Sequence, residues 1–80
     1  MFYVYVLKSK ALNRTYVGHT RALEKRMFQH RRGESSATKH AEDWELVYSE
    51  EYPTKTLAVK REKYLKSGDG RKVLRFRGVV

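Results

Sequence analysis

Eighty residues suit one compact domain with a small core, and 18 Lys and Arg against 9 Asp and Glu leave a net charge of +9. The excess favours a polyanionic partner, and no long basic amphipathic helix argues for a membrane surface. The absence of cysteine excludes disulfide staples and thiolate zinc sites, the apolar N-terminal run is too short to cross a bilayer, and the chain reads as cytoplasmic.

In chain order, Phe2–Lys8 alternates, with Phe2, Val4 and Val6 on one side and Tyr3, Tyr5 and Leu7 on the other. Both faces are apolar, which predicts a central strand covered on both sides. Asn13 is a turn residue in the short polar connection to a second strand, Thr15–His19, so the pair is an antiparallel hairpin. Thr20 is the expected N-cap of a first helix, Glu24 lies in its first turn, and Gly33 stands at C′. Leu23, Met27 and His30 share one stripe of that helix, with Arg26 at its margin. Residues 34–43 read as a loop. Trp44–Tyr48 reads as a third strand with Trp44, Leu46 and Tyr48 on one face. Pro53 ends the extended run and Thr54 caps a second helix to about Lys66, with Leu57, Arg61, Tyr64 and Leu65 as its inner stripe and Ala58 on the border. "SGDG" ends it, and a last helix covers about Arg71 to Phe76. The order β-β-α-β-α-α predicts an α/β (α+β) fold over residues 1–80, a three-stranded antiparallel sheet flanked by helices.

These motifs, in this order, resemble the GIY-YIG nuclease family over nearly the whole chain. Tyr3-Val4-Tyr5 is similar to the first signature, with Tyr3 in place of the usual glycine. Tyr16-Val17-Gly18, followed by Thr20, is similar to the second, with Val17 in place of isoleucine. "LEKRMFQHRRG" resembles the arginine-bearing helix, with Arg26 and His30 in place. "VKREKYLKSGDGR" resembles the later motif, in which Glu62 is the metal-binding carboxylate. Catalytic members often carry a further Asn near the C-terminus; none stands in "RKVLRFRGVV", where Lys72 is a loose substitute.

Each residue also has an ordinary reading. Tyr5 and Tyr16 on adjacent strands can be a cross-strand aromatic pair, or their hydroxyls can converge at one face of the hairpin. A free phenol is a poor base at neutral pH, so the second reading needs a nearby cation. Arg26 is a snorkelling surface residue or a fork for the scissile phosphate. His30 is a hydrogen-bonded core histidine, or it contacts a phosphate oxygen or orients Tyr16. Glu62 forms a helical ion pair with Lys66, or it holds one Mg²⁺ or Mn²⁺ with water and phosphate. Arg61, at the centre of the inner stripe, either snorkels or reaches the same anionic site. A zinc site from His19, His30 and His40 lacks regular spacing, and Ser35–Ser36 lacks a base partner.

The resemblance implies a metal-dependent DNA endonuclease that leaves a 5′ phosphate and a 3′ hydroxyl, with Tyr5, Tyr16, Arg26, His30 and Glu62 as its working residues. Gly18 would let the backbone turn close beneath the site. Arg31, Arg32, Lys39, Lys60, Lys63, Lys66, Arg71, Lys72, Arg75 and Arg77 are available for phosphates, contacts that position DNA and read little sequence. The alternative is a non-catalytic module that binds single-stranded or branched nucleic acid.

Overall fold

The computed structural model describes residues 1–35 and 38–79, so the Ser36 half of the serine pair lies outside the described residues. Its elements are β1 (Phe2–Ser9), β2 (Arg14–Thr20), α1 (Leu23–Arg31), β3 (Glu45–Tyr52), α2 (Lys55–Lys66) and α3 (Gly68–Phe76). The three strands form one sheet in the order β2-β1-β3, with both pairings antiparallel. This is the α+β fold expected from the residue pattern. Asn13 makes the tight return between β1 and β2 with a φ of 52°.

The central strand is apolar on both sides because each side has its own core. Val4, Val6 and Val17 pack with Ala58, Leu65 and Leu74 of α2 and α3. Tyr5, Leu7 and Trp44 pack with Tyr16, Leu23 and Met27, which brings α1 onto the opposite face. The sheet is therefore the middle layer, and the candidate tyrosines lie on the α1 side. Among the described residues, no helix is long and apolar enough to cross a membrane.

The structure corrects several boundaries. Thr20 is not the cap of α1; it ends β2 and its hydroxyl accepts from the Ala22 N–H at 3.1 Å, while Ala22 takes the N-cap position without a side-chain bond. β3 runs on to Tyr52, beyond the expected Tyr48. Its pairing with β1 shifts between Val6 and Leu7: Val6 faces Tyr48, Leu7 faces Leu46, and Val47 is the extra residue. That bulge sends Leu46 and Tyr48 to opposite faces, contrary to simple alternation. On α2, Ala58 and Leu65 are buried whereas Leu57 and Tyr64 are exposed, so the inner stripe is turned from the expected one. Thr54 does cap α2, accepting from the Leu57 N–H at 3.3 Å. The "SGDG" segment does not separate two helices. Ser67 closes α2 and caps α3, so the glycines form the first turn of α3.

Arg61 neither snorkels nor reaches the candidate site of Tyr5 and Tyr16. It grips Glu50 of β3 with Nε at 2.9 Å and Nη2 at 3.1 Å, on the face away from α1. Tyr48 also donates to Glu50, and Tyr52 does so at 2.6 Å. These bonds explain how a carboxylate is accommodated inside β3. Burial pushes the Glu50 carboxyl up, but hydrogen bonds from Arg61, Tyr48 and Tyr52 outweigh it and bring its pKa down to about 2. The depressed folded-state value means this stabilisation is complete above the ordinary value of 4.5 and is lost as pH falls through about 2. With allowance for solvent screening, about 2 kcal/mol of stability should disappear across that window. Denaturant unfolding of wild type and Glu50→Gln between these pH values measures it. The wild type should show the steeper acid loss, and equal slopes would refute the assignment.

Candidate active site

On the α1 face, Tyr5 comes from the centre of the sheet and is almost wholly buried. Gly18 lies opposite it on β2. A β-carbon at Gly18 would stand 2.6 Å from the Tyr5 hydroxyl and 3.0 Å from a Tyr16 ring carbon. Gly18 is thus not a turn residue; it is a strand position whose missing side chain leaves space for the Tyr5 phenol. Tyr16 follows one strand step away, opposite Leu7, with its ring centre 6.2 Å from that of Tyr5.

Helix α1 brings Arg26 and His30 to the same phenol. His30 Nε2 is 2.9 Å from the Tyr5 hydroxyl, and the Arg26 Nε–H donates to that hydroxyl at 3.4 Å. The His30 ring lies 5.2 Å from the Tyr16 ring, centre to centre. On its far side, His30 Nδ1 is 2.7 Å from the hydroxyl of buried Thr38, whose carbonyl accepts from the Trp44 indole N–H at 2.8 Å. Burial, reinforced by the Arg26 guanidinium, pushes the His30 pKa down to about 4. The imidazole is therefore neutral at neutral pH, accepting at one nitrogen and donating at the other along the line from Tyr5 to Thr38.

Burial also decides the state of Tyr5. It pushes the phenol up to about 12, more than the Arg26 hydrogen bond pulls it down. A nearby guanidinium alone does not make this phenol a base. Tyr5 stays protonated and acts as a hydrogen-bonding group. Arg26 also donates from Nη1 to Gln29 Oε1 at 3.1 Å, and its guanidinium lies beside the Tyr16 phenol as well, so the planar fork sits between the two tyrosines.

Glu62 does not touch this group of four. His19 alternates with Gly18 on β2 and faces α2, where its Nδ1 lies 2.5 Å from Glu62 Oε1. Lys66 donates to Glu62 Oε2 at 2.8 Å, the helical pair foreseen from the spacing. The same ammonium lies 6.0 Å from the centre of the Tyr16 ring, so Lys66 links the carboxylate to the tyrosine side around edge strand β2. Burial raises the Glu62 pKa, but hydrogen bonds from Lys66 and His19 reverse the shift and hold it below the usual carboxylate range. Among the described residues, no three His, Asp or Glu side chains cluster as a ready metal cage. An ion held here would have Glu62 as its protein ligand and water for the remainder, which suits Mg²⁺ or Mn²⁺. The carboxylate is held below the usual range, as such an ion requires, but Oε1 already meets His19 and Oε2 meets Lys66, so an ion would have to displace one of these partners.

Two contributors escaped the sequence reading. His19 reads from its residue type only as a zinc ligand, although strand alternation puts it on the α2 side with Val17. Thr38 carries no signal, because its contact with His30 depends on how the loop folds back. Asp43 anchors that loop to the hairpin. Its carboxylate accepts from the Ser9 hydroxyl at 2.6 Å and the Ala11 N–H at 2.9 Å, bonds that hold its pKa below the usual range. Of the suggested phosphate contacts, Arg31, Arg32, Lys39, Lys60, Lys63, Lys66, Arg71 and Lys72 are all exposed.

Comparison with known proteins identifies the family. The family model described as the GIY-YIG catalytic domain matches residues 1–73. A UPF0213 protein of Staphylococcus saprophyticus subsp. saprophyticus is 35% identical over 75 residues, covering 92% of this chain and 90% of that protein. No solved structure matches the chain significantly. Signature order, sheet topology and family match agree: the chain belongs to the GIY-YIG catalytic-domain family, a nuclease family whose substrates are nucleic acids.

Proposed function

We propose that this protein is a divalent-metal-dependent DNA endonuclease of low sequence specificity, with a role in DNA repair or processing in the cytoplasm. The observation that carries this reading is the convergence of Arg26 and His30 on the buried Tyr5 hydroxyl, with the Tyr16 ring beside them and the gap left by Gly18 beneath.

Glu62 would hold the metal ion, which when bound supplies Lewis-acid stabilisation to the phosphate and the departing 3′ oxygen. The chain's own groups do the rest. Tyr16, half-buried with the Lys66 ammonium 6.0 Å from its ring centre, would act as its phenolate, which nearby cationic charge favours, and take the proton of the attacking water at its phenolic oxygen. Tyr5, kept protonated by its burial and bonded to both His30 and Arg26, positions the Arg26 guanidinium toward the phosphate. The Arg26 fork neutralises charge growing on the phosphate, and neutral His30 fixes Tyr5 in position. The net charge of +9 supplies affinity through phosphate contacts, so binding should weaken steeply as salt rises.

The test is cleavage of a panel of labelled single-stranded, duplex and branched DNAs with Mg²⁺ or Mn²⁺, run beside Glu62→Ala. The wild type should cut. Glu62→Ala should lose cutting while its DNA affinity stays within about threefold, because one carboxylate contributes little to a phosphate-dominated interface. A wild type that cuts no member of the panel would refute the nuclease reading and leave a non-catalytic binding module.

A further inference from the structure

The end of the sheet beside the tyrosine site carries a feature that the mechanism does not use. Tyr3 lies on the same side of β1 as Tyr5, one strand repeat of about 7 Å away. It lines an open depression of about 510 Å³ with Arg21, Ala22, Leu23, Glu24 and Lys25, just before Arg26 on α1. Arg21 also borders a second depression of about 260 Å³, shared with Phe2, His19, Thr20 and Lys55. The Arg21 guanidinium lies over the Phe2 ring at 5.3 Å, which steadies it between the two depressions. Among the lining residues three cations, Arg21, Lys25 and Lys55, stand against one carboxylate, Glu24, while Glu51 lies opposite Tyr3 on β3. This end of the sheet is thus basic, presents Tyr3 on the α1 side with Phe2 beneath Arg21 on the other, and reaches α1 at Lys25, next to Arg26.

That combination fits an unpaired strand better than a duplex. Bases within a duplex are stacked on each other and present only their edges, whereas an unpaired base can lie flat on an aromatic ring while cations hold the neighbouring phosphates. We propose that this end of the sheet binds an unpaired DNA strand, with Tyr3 stacking on a base that flanks the scissile phosphate and Arg21 and Lys25 holding the adjacent phosphates. The location of the scissile phosphate rests on the nuclease reading; the binding track does not. The substrate class is then DNA with an unpaired nucleotide at the cleavage point: single strands, flaps or junctions.

The experiment uses a short single strand carrying 2-aminopurine at successive positions, and the same sequence as a duplex, in the presence of a chelator so that no cutting occurs. Wild-type protein should quench 2-aminopurine strongly at one or two adjacent positions of the single strand. Tyr3→Leu should abolish that quenching and weaken single-strand binding between about fivefold and a hundredfold, with duplex affinity changed less than about twofold. Tyr3→Phe should retain both quenching and affinity. Arg21→Ala should lower the salt dependence of single-strand binding by about one phosphate contact. The proposal is overturned if the wild type does not quench, if Tyr3→Leu loses single-strand and duplex affinity equally, or if Tyr3→Phe fails to restore quenching. Protein that quenches but never cuts with metal keeps the track and loses the nuclease reading. Protein that cuts without quenching loses only the track.

Discussion

Arg26→Ala should lower the rate of DNA cleavage by roughly a hundredfold to a thousandfold, the effect of removing one pre-aligned donor from a charge-developing phosphate. The fold should survive, because Arg26 is only half-buried and its side-chain bonds to Tyr5 and Gln29 lie at the edge of the core. Arg26→Lys should recover little. An ammonium keeps the charge but cannot hold the Tyr5 hydroxyl through one arm while offering a second, planar arm to phosphate. Single-turnover cleavage of the best substrate measures the effect, with thermal melting of each variant to verify folding. Cleavage by Arg26→Ala at the wild-type rate would remove the guanidinium from the mechanism and leave it as a local brace for Tyr5.

The largest expected effect on stability comes from a residue with no side chain. Gly70 is buried in the first turn of α3, where a β-carbon would stand 2.0 Å from the Tyr64 carbonyl oxygen and 2.4 Å from the Leu65 α-carbon. Both are backbone atoms of α2, so no rotamer change relieves the clash. The helices meet there because Ser67 serves both. Its N–H donates to the Tyr64 carbonyl at 3.0 Å and its hydroxyl accepts from the Gly70 N–H at 3.2 Å. Gly70→Ala must pry α3 from α2 and should cost about 3 kcal/mol, at the upper end for overpacking. In a domain this small the melting temperature should fall by roughly 10–20 °C. Gly68→Ala is the matched control, since nothing lies within 4 Å of its added carbon. That change should be neutral or slightly stabilising. A Gly70→Ala protein that melts with the wild type would show that the two helices can shift at little expense.

Much of this architecture is written in short-range pattern. The two-sided apolar alternation of Phe2–Lys8 marks a strand covered by helices on both faces, and the Val4 and Tyr5 cores bear this out. Thr54 after Pro53 announces a helix start because a hydroxyl at that position satisfies a free N–H within one turn. Thr20 offered the same cue and failed as a cap, since continued pairing with Tyr3 kept it in β2. A local cap competes with ladder hydrogen bonds, and the neighbouring strand decides between them.

The candidate site divides along the same line. That Tyr5, Tyr16, Arg26 and His30 belong together follows from family motifs, and the hairpin alone puts both tyrosines near one another. The protonation of Tyr5 and the neutrality of His30 do not follow from motifs, because both come from burial under α1 and the loop that carries Thr38. Glu62 shows the contrast within a single residue. Its pair with Lys66 is legible at a spacing of four, whereas its contact with His19 joins residues 43 apart and exists only once α2 lies along β2.

By itself, the sequence determined the element order, the antiparallel hairpin, the cap of α2, the basic character of the surface and the family, all matters of local periodicity, composition and motif. Only the tertiary structure decided which face Leu46 and Tyr48 take across the Val47 bulge, that Arg61 belongs to Glu50, and that Ser67 joins two helices. The physical reason is that those outcomes depend on register and on which distant group reaches a buried polar atom first, and neither is encoded within a few residues of chain.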